Sequence, residues 1–171
     1  VHPENPVQRL TVSQLAGIFS GTIQHWSLVG GRDARIVLLS REVNSGTHVY
    51  FKEHVLGKMP DGSTREFSPD ALLLSSSQAI VDELAVNADA IGYYGMGYLN
   101  PKNTAVAVAA TAEGPYVEPT EAAVRDGTYP ISRPLFLYSR DAVQGLVKAF
   151  LEFALSAEGQ AIVRQIDFVP M

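Results

Sequence analysis

Arg41, Ser45, Gly46 and Thr47 fall within the single run Arg41-Glu42-Val43-Asn44-Ser45-Gly46-Thr47. Together they have the chemistry to hold an oxyanion. A guanidinium gives a planar, bidentate contact to such a group. Ser45 and Thr47 add hydroxyl donors, and Gly46 lets the main chain approach closely. The run follows a short β-branched apolar stretch, Ala34–Ser40, which reads as a buried strand. Ser45 then opens a helical segment that runs to about Leu56 and stops at Gly57. Strand, tight turn and helix start is a geometry that presents free N–H groups and partial positive charge to an anion. The plainer alternative is an N-capped helix beside a solvated Arg41, or an Arg41 neutralised by Glu42. The tripeptide alone favours that alternative, and Arg41 at the strand end brings the two readings level.

Other residues offer less. His25, His48 and His54 lack metal-ligand spacing, since His48 and His54 are not at i, i+4; they read as surface or partly buried histidines. Ser45 with a His and a Glu could in principle form a hydrolase triad, but no G-x-S-x-G elbow surrounds it. Gly92-Tyr93-Tyr94-Gly95-Met96-Gly97 reads as a turn after a strand. Tyr93, Tyr94 and Tyr98 read as packing, and Trp26 as the anchor of a loop. No catalytic residue, metal site or cofactor is expected.

The elements that must position these groups alternate between helix and strand, which predicts an α/β fold. Thr11 or Ser13 can cap a helix over Val12–Ser20 that ends at Gly21. Gly57–Asp70, with Pro60, Gly62 and Pro69, reads as a loop. Ser75–Ser77 can cap a helix carrying Ile80, Val81, Leu84 and Ala85 on one face. Ala90–Tyr94, Thr104–Ala109 and Pro134–Tyr138 read as strands, and Thr120–Arg125 as a short helix. Val143, Leu146, Val147, Phe150, Leu151 and Ala154 recur at helical spacing, with Ser139 as the expected cap and a further turn or two at Ala161–Ile166. That apolar stripe calls for a sheet to cover it, yet few strands are expected nearby. The shortage hints at a lobe supplied from elsewhere.

Composition narrows the function classes. The chain has 171 residues, 46% hydrophobic and 18% charged, with a net charge of -5. It is long and apolar enough to fold around its own core. Its acidic balance argues against nucleic acid as a partner. It has no cysteine, which excludes disulfides, thiolate metal sites and a Cys nucleophile. Its apolar runs are too short to span a bilayer. The first residue is Val1, not Met, so upstream sequence is expected to have been removed or left out.

Motifs along nearly the whole chain resemble one family. Residues 5–26, NPVQRLTVSQLAGIFSGTIQHW, are followed by Gly30-Gly31-Arg32-Asp33 with Ile36, and by Arg41-Glu42 with Ser45-Gly46-Thr47. Further on come Ala90-Ile91-Gly92-Tyr93, Tyr129-Pro130-Ile131-Ser132-Arg133-Pro134-Leu135, Phe150-Leu151-Glu152-Phe153, Glu158-Gly159-Gln160 and Phe168-Val169-Pro170. In this order they resemble the phosphate-binding component of ABC-type phosphate importers, in the type II periplasmic binding protein superfamily.

The resemblance implies a periplasmic-binding-protein-like lobe, a mixed sheet flanked by helices, plus the return segment of a second lobe. On that pattern residues 1–6 are the first crossover, 7–128 the ligand-binding lobe, and 129–171 a return strand and C-terminal helix belonging with the other lobe. About the first third of a family member would be absent, including a carboxylate that accepts a hydrogen bond from protonated phosphate. The resemblance implies that Arg41, Ser45, Gly46 and Thr47 bind inorganic phosphate or a similar tetrahedral oxyanion. It implies a periplasmic or extracytoplasmic location, a membrane permease as partner, and no catalysis. His48 departs from the basic residue common after Ser-Gly-Thr, and Asp167 from the usual glycine. The alternative is an anion-sensing or partner-binding module, such as a split or domain-swapped homodimeric half. An enzyme acting on phosphate esters ranks last, because no general base is placed beside Ser45.

Overall fold

The computed structural model describes residues 1–57, 62–140, 142–166 and 168–171. Expectations for Pro60 and Asp167 lie outside the described residues. The strands are β1 (Arg9–Thr11), β2 (Val37–Arg41), β3 (Leu72–Leu74), β4 (Ala90–Gly92) and β5 (Ala107–Ala109). The helices are α1 (Val12–Phe19), α2 (Gly46–Phe51), α3 (Ser77–Leu84), α4 (Glu121–Arg125), α5 (Gly145–Leu155) and α6 (Ala157–Gln165).

β2 lies between β3 and β4, parallel to both, and β1 pairs in parallel with β5. Antiparallel contacts occur as isolated bridges, His25 with Arg35 and Val108 with Val117. Parallel neighbours need crossovers, and α2 and α3 supply them between β2, β3 and β4. The chain is α/β, as the alternation of elements predicts.

Capping decides where several helices start. Thr11 accepts from Gln14 N–H while the Gln14 side chain accepts from Thr11 N–H, a reciprocal capping box. Ser76 caps α3 and Thr120 caps α4 through their hydroxyls. The helical segment opened by Ser45 runs to Leu56, as the sequence predicts. After Phe51 the chain widens into a π-helical turn, Lys52–Leu56, closed by Gly57 at φ 63°.

The main core gathers Leu10, Leu15, Ile18, Phe19 and Trp26 with Phe51, Ile91 and Val108. Trp26 is fully buried, and its indole N–H donates to Asp89 O at 2.9 Å, so it does anchor its loop. Leu39, Ile80, Leu84 and Ala90 form a second cluster between the sheet and α3.

The C-terminal part departs from expectation. Residues 134–138 form no strand, and Leu135, Phe136, Leu137 and Tyr138 are exposed. A strand needs a neighbour for its main-chain groups, and no described strand lies beside them. α5 starts at Gly145 with Gln144 as its cap position, so Ser139 does not cap it. No residue of α5 is buried, and its apolar stripe, Leu146, Val147, Phe150 and Phe153, meets no sheet among the described residues.

Candidate functional site

β2 and β3 deliver their carboxyl ends side by side, with Arg41 in register with Leu74. Each strand is followed by a helix start: Ser45-Gly46 opens α2, and Ser76-Ser77 opens α3. The rim of the parallel sheet therefore carries two helix N-termini, the usual place for a ligand in open α/β sheets.

Arg41 bridges this rim. Its Nη1 donates to Ser77 Oγ at 3.0 Å and its Nη2 to Ser75 O at 3.2 Å. Its Nε is buried and has no partner among the described residues. No ion pair joins Arg41 to Glu42 or to any other acid among the described residues, so the neutralised alternative is not realised. A guanidinium at the first turn of α3 also faces the positive end of that helix. No acidic side chain among the described residues offsets this charge.

Ser45, Gly46 and Thr47 differ in their hydrogen bonding. Ser45 Oγ accepts from Thr47 N–H at 3.2 Å, which caps α2 and commits both groups. Ser45 N–H goes to Glu42 O at 2.9 Å. Gly46 N–H has no protein partner among the described residues. No hydrogen bond links Ser45 to a histidine among the described residues.

Arg133 joins the site unforeseen. A methyl group on Gly46 would stand 3.6 Å from Arg133 Nη2. The Arg133 guanidinium lies over the Tyr50 ring, 5.0 Å from its centroid, and Tyr50 OH donates to Ser132 O at 2.8 Å. Tyr129 and Ile131 pack against the main core, which draws this stretch of chain onto α2. Burial pushes the Tyr129 hydroxyl up to about 12, with Tyr50 adding to the shift. The only sequence signal for Arg133 was its place in the Tyr129–Leu135 motif, because the approach is long-range.

His48 is buried, contrary to the surface or partly buried reading. Its ring stacks on Phe67 with centroids 4.4 Å apart. Burial lowers its basicity, and Lys52 lowers it further, while the bond to Arg41 and the Glu66 charge raise it. Tyr93 packs on Phe51 at 4.0 Å, in keeping with the packing role expected of it. Among the described residues no cluster of His, Cys, Asp and Glu could hold a metal ion, and no helix is long and apolar enough to cross a membrane.

A family model described as PBP superfamily domain matches residues 1–158. The phosphate-binding protein PstS of Pseudomonas aeruginosa is 32% identical over 187 residues, covering 100% of this chain and 56% of the relative. PstS of Bacillus subtilis is 31% identical over 173 residues, covering 100% of this chain and 53% of its own length. The chain thus spans about half the length of the curated relatives it matches. Among solved structures, a Clostridium perfringens protein with bound phosphate is 34% identical with a TM-score of 0.79, covering 100% of this chain and 66% of that one. An ABC-type phosphate transport receptor from Vibrio cholerae is 28% identical with a TM-score of 0.82, covering 100% and 67%.

Proposed function

The chain belongs to the PBP superfamily, and from that membership we propose that it binds inorganic phosphate as the extracytoplasmic solute-binding part of an ABC-type phosphate importer. One observation carries the reading: Arg41 stands at the first turn of α3 with a buried, unpaired Nε and no acidic partner among the described residues. A buried donor without a partner costs about 1–3 kcal/mol, which an oxyanion would offset. Gly46 N–H and the Thr47 hydroxyl would meet the anion from α2, with Arg133 as a second cation. Ser45 would act mainly by holding the α2 turn, and could add its hydroxyl if the cap opens. The names of the relatives, phosphate-binding protein and phosphate transport receptor, support the choice of anion.

Binding without catalysis is favoured by the site itself. Ser45 Oγ is engaged with Thr47 N–H, and His48 is turned to the Arg41 carbonyl. Neither is arranged as a nucleophile and base. The location outside the cytoplasm and a membrane permease as partner follow from the same family reading.

The exposed apolar surface of residues 134–138 and α5 favours an association beyond this chain's own core. We take residues 129–171 to serve a second lobe. A domain-swapped homodimer, or a sensing module closed by a partner, is the alternative use of that surface. Sedimentation distinguishes them: a dimer supports exchange, and a monomer that binds phosphate does not.

Thermal unfolding tests the function. Phosphate that binds only the folded chain must raise the midpoint with concentration. A midpoint that is insensitive to millimolar phosphate, or that sulfate raises equally, contradicts the assignment.

A further inference from the structure

We propose that Tyr93 and His48 are positioning residues of the oxyanion site, standing in for a strand that ends too early beside Arg41. The proposal rests on Arg41 as an anion ligand. β2 pairs with β3 as far as Arg41 and Leu74, but with β4 only as far as Leu39 and Gly92. Main-chain groups of successive strand residues face opposite sides. Glu42 N–H goes to Leu74 O on the β3 side. The N–H and C=O of Arg41 therefore face the β4 side, beyond the last paired residue of β4. Buried main-chain groups left there need partners.

Side chains provide them. Tyr93 OH accepts from Arg41 N–H at 3.4 Å. His48 Nδ1 lies 2.9 Å from Arg41 O, and a carbonyl only accepts, so Nδ1 carries the proton. Ser40 Oγ donates to the same carbonyl at 3.2 Å and lies 2.7 Å from Tyr93 OH. One set of directions satisfies the ring: Arg41 N–H to Tyr93, Tyr93 O–H to Ser40, and Ser40 O–H to Arg41 O. Stacking of Tyr93 on Phe51 and of His48 on Phe67 holds both side chains in place. Because His48 belongs to α2, its bond also ties the α2 turn to the strand end. The cluster thus sets Arg41 and Ser45–Thr47 relative to each other, without touching the anion.

A double-mutant cycle on phosphate affinity tests this, with denaturation midpoints measured on the same proteins. Tyr93→Phe keeps the ring and removes the hydroxyl. Loss of one hydrogen bond's worth of positioning weakens phosphate binding roughly 3- to 10-fold. In an Arg41→Lys background, whose flexible ammonium needs no such alignment, the same substitution changes affinity little, while the midpoint shift is the same in both backgrounds. His48→Phe weakens binding, and His48→Gln, which restores an N–H donor, recovers most of it. A lower midpoint with unchanged affinity, an equal affinity loss in both backgrounds, or indistinguishable His48→Phe and His48→Gln proteins overturns the positioning role alone. An unsubstituted chain that takes up no phosphate overturns the underlying reading as well.

Discussion

Gly46 faces Arg133 so closely that a methyl group on its Cα would stand 3.6 Å from the guanidinium nitrogen Nη2. The two residues are far apart in sequence. Their meeting puts a cation from the segment after α4 beside the helix start that follows β2. Tyr50 makes it possible by carrying the guanidinium on its ring and bonding the preceding Ser132 carbonyl.

That contact makes Gly46→Ala informative. At 3.6 Å the added methyl is in ordinary van der Waals contact, and Gly46 has no positive φ to lose. Stability should change little. On the proposed site, the methyl crowds an anion held between the Gly46 N–H and Arg133. Phosphate affinity should fall roughly tenfold or more, the worth of one charge-assisted hydrogen bond. Titration of the variant, with its unfolding midpoint measured in parallel, checks both halves.

Arg133→Gln should lower phosphate affinity and flatten its dependence on salt. Arg133 is exposed, so its attraction for an anion is screened by added ions. Arg133→Lys keeps the charge but not the planar fork, and should fall between the two. Affinities at low and physiological ionic strength check the order.

Acid should weaken the fold through His48. Burial holds its folded-state basicity below the ordinary value of 6.5. The unfolded chain therefore takes up this proton first as pH falls. The stabilising contribution is complete above pH 6.5 and is lost as pH drops through the lowered folded value. Urea midpoints measured from pH 8 to pH 5 should decline in that window, and more shallowly in His48→Gln.

Thr11 should matter to stability and Ser13 should not. Thr11→Ala removes the hydroxyl half of the capping box and should cost about 1 kcal/mol. Ser13 is exposed and caps nothing. Urea denaturation of the two alanine variants separates them.

The parts of the fold readable from sequence are those fixed locally. The cap at Thr11, the stop near Gly21, the apolar strand before Arg41 and the cap within Ser75–Ser77 are each signalled by neighbouring residues. Pro134–Tyr138 has the composition of a strand and is not one, because strand formation depends on a neighbour that local sequence does not specify. The short strands β1 and β3 are illegible in the sequence for the converse reason: three residues carry no periodicity, and pairing alone makes them strands. At the site, Arg41 and the turn after it could be read from one run of residues. Arg133 and the Tyr93–Ser40–His48 ring could not, since each contact joins elements distant in the chain.

Calorimetric titration with phosphate, with sulfate and Arg41→Ala as controls, tests the central claim most directly. Saturable heat with phosphate, absent with sulfate and lost in Arg41→Ala, is the predicted result. The absence of heat at millimolar phosphate, or equal binding by Arg41→Ala, would contradict it.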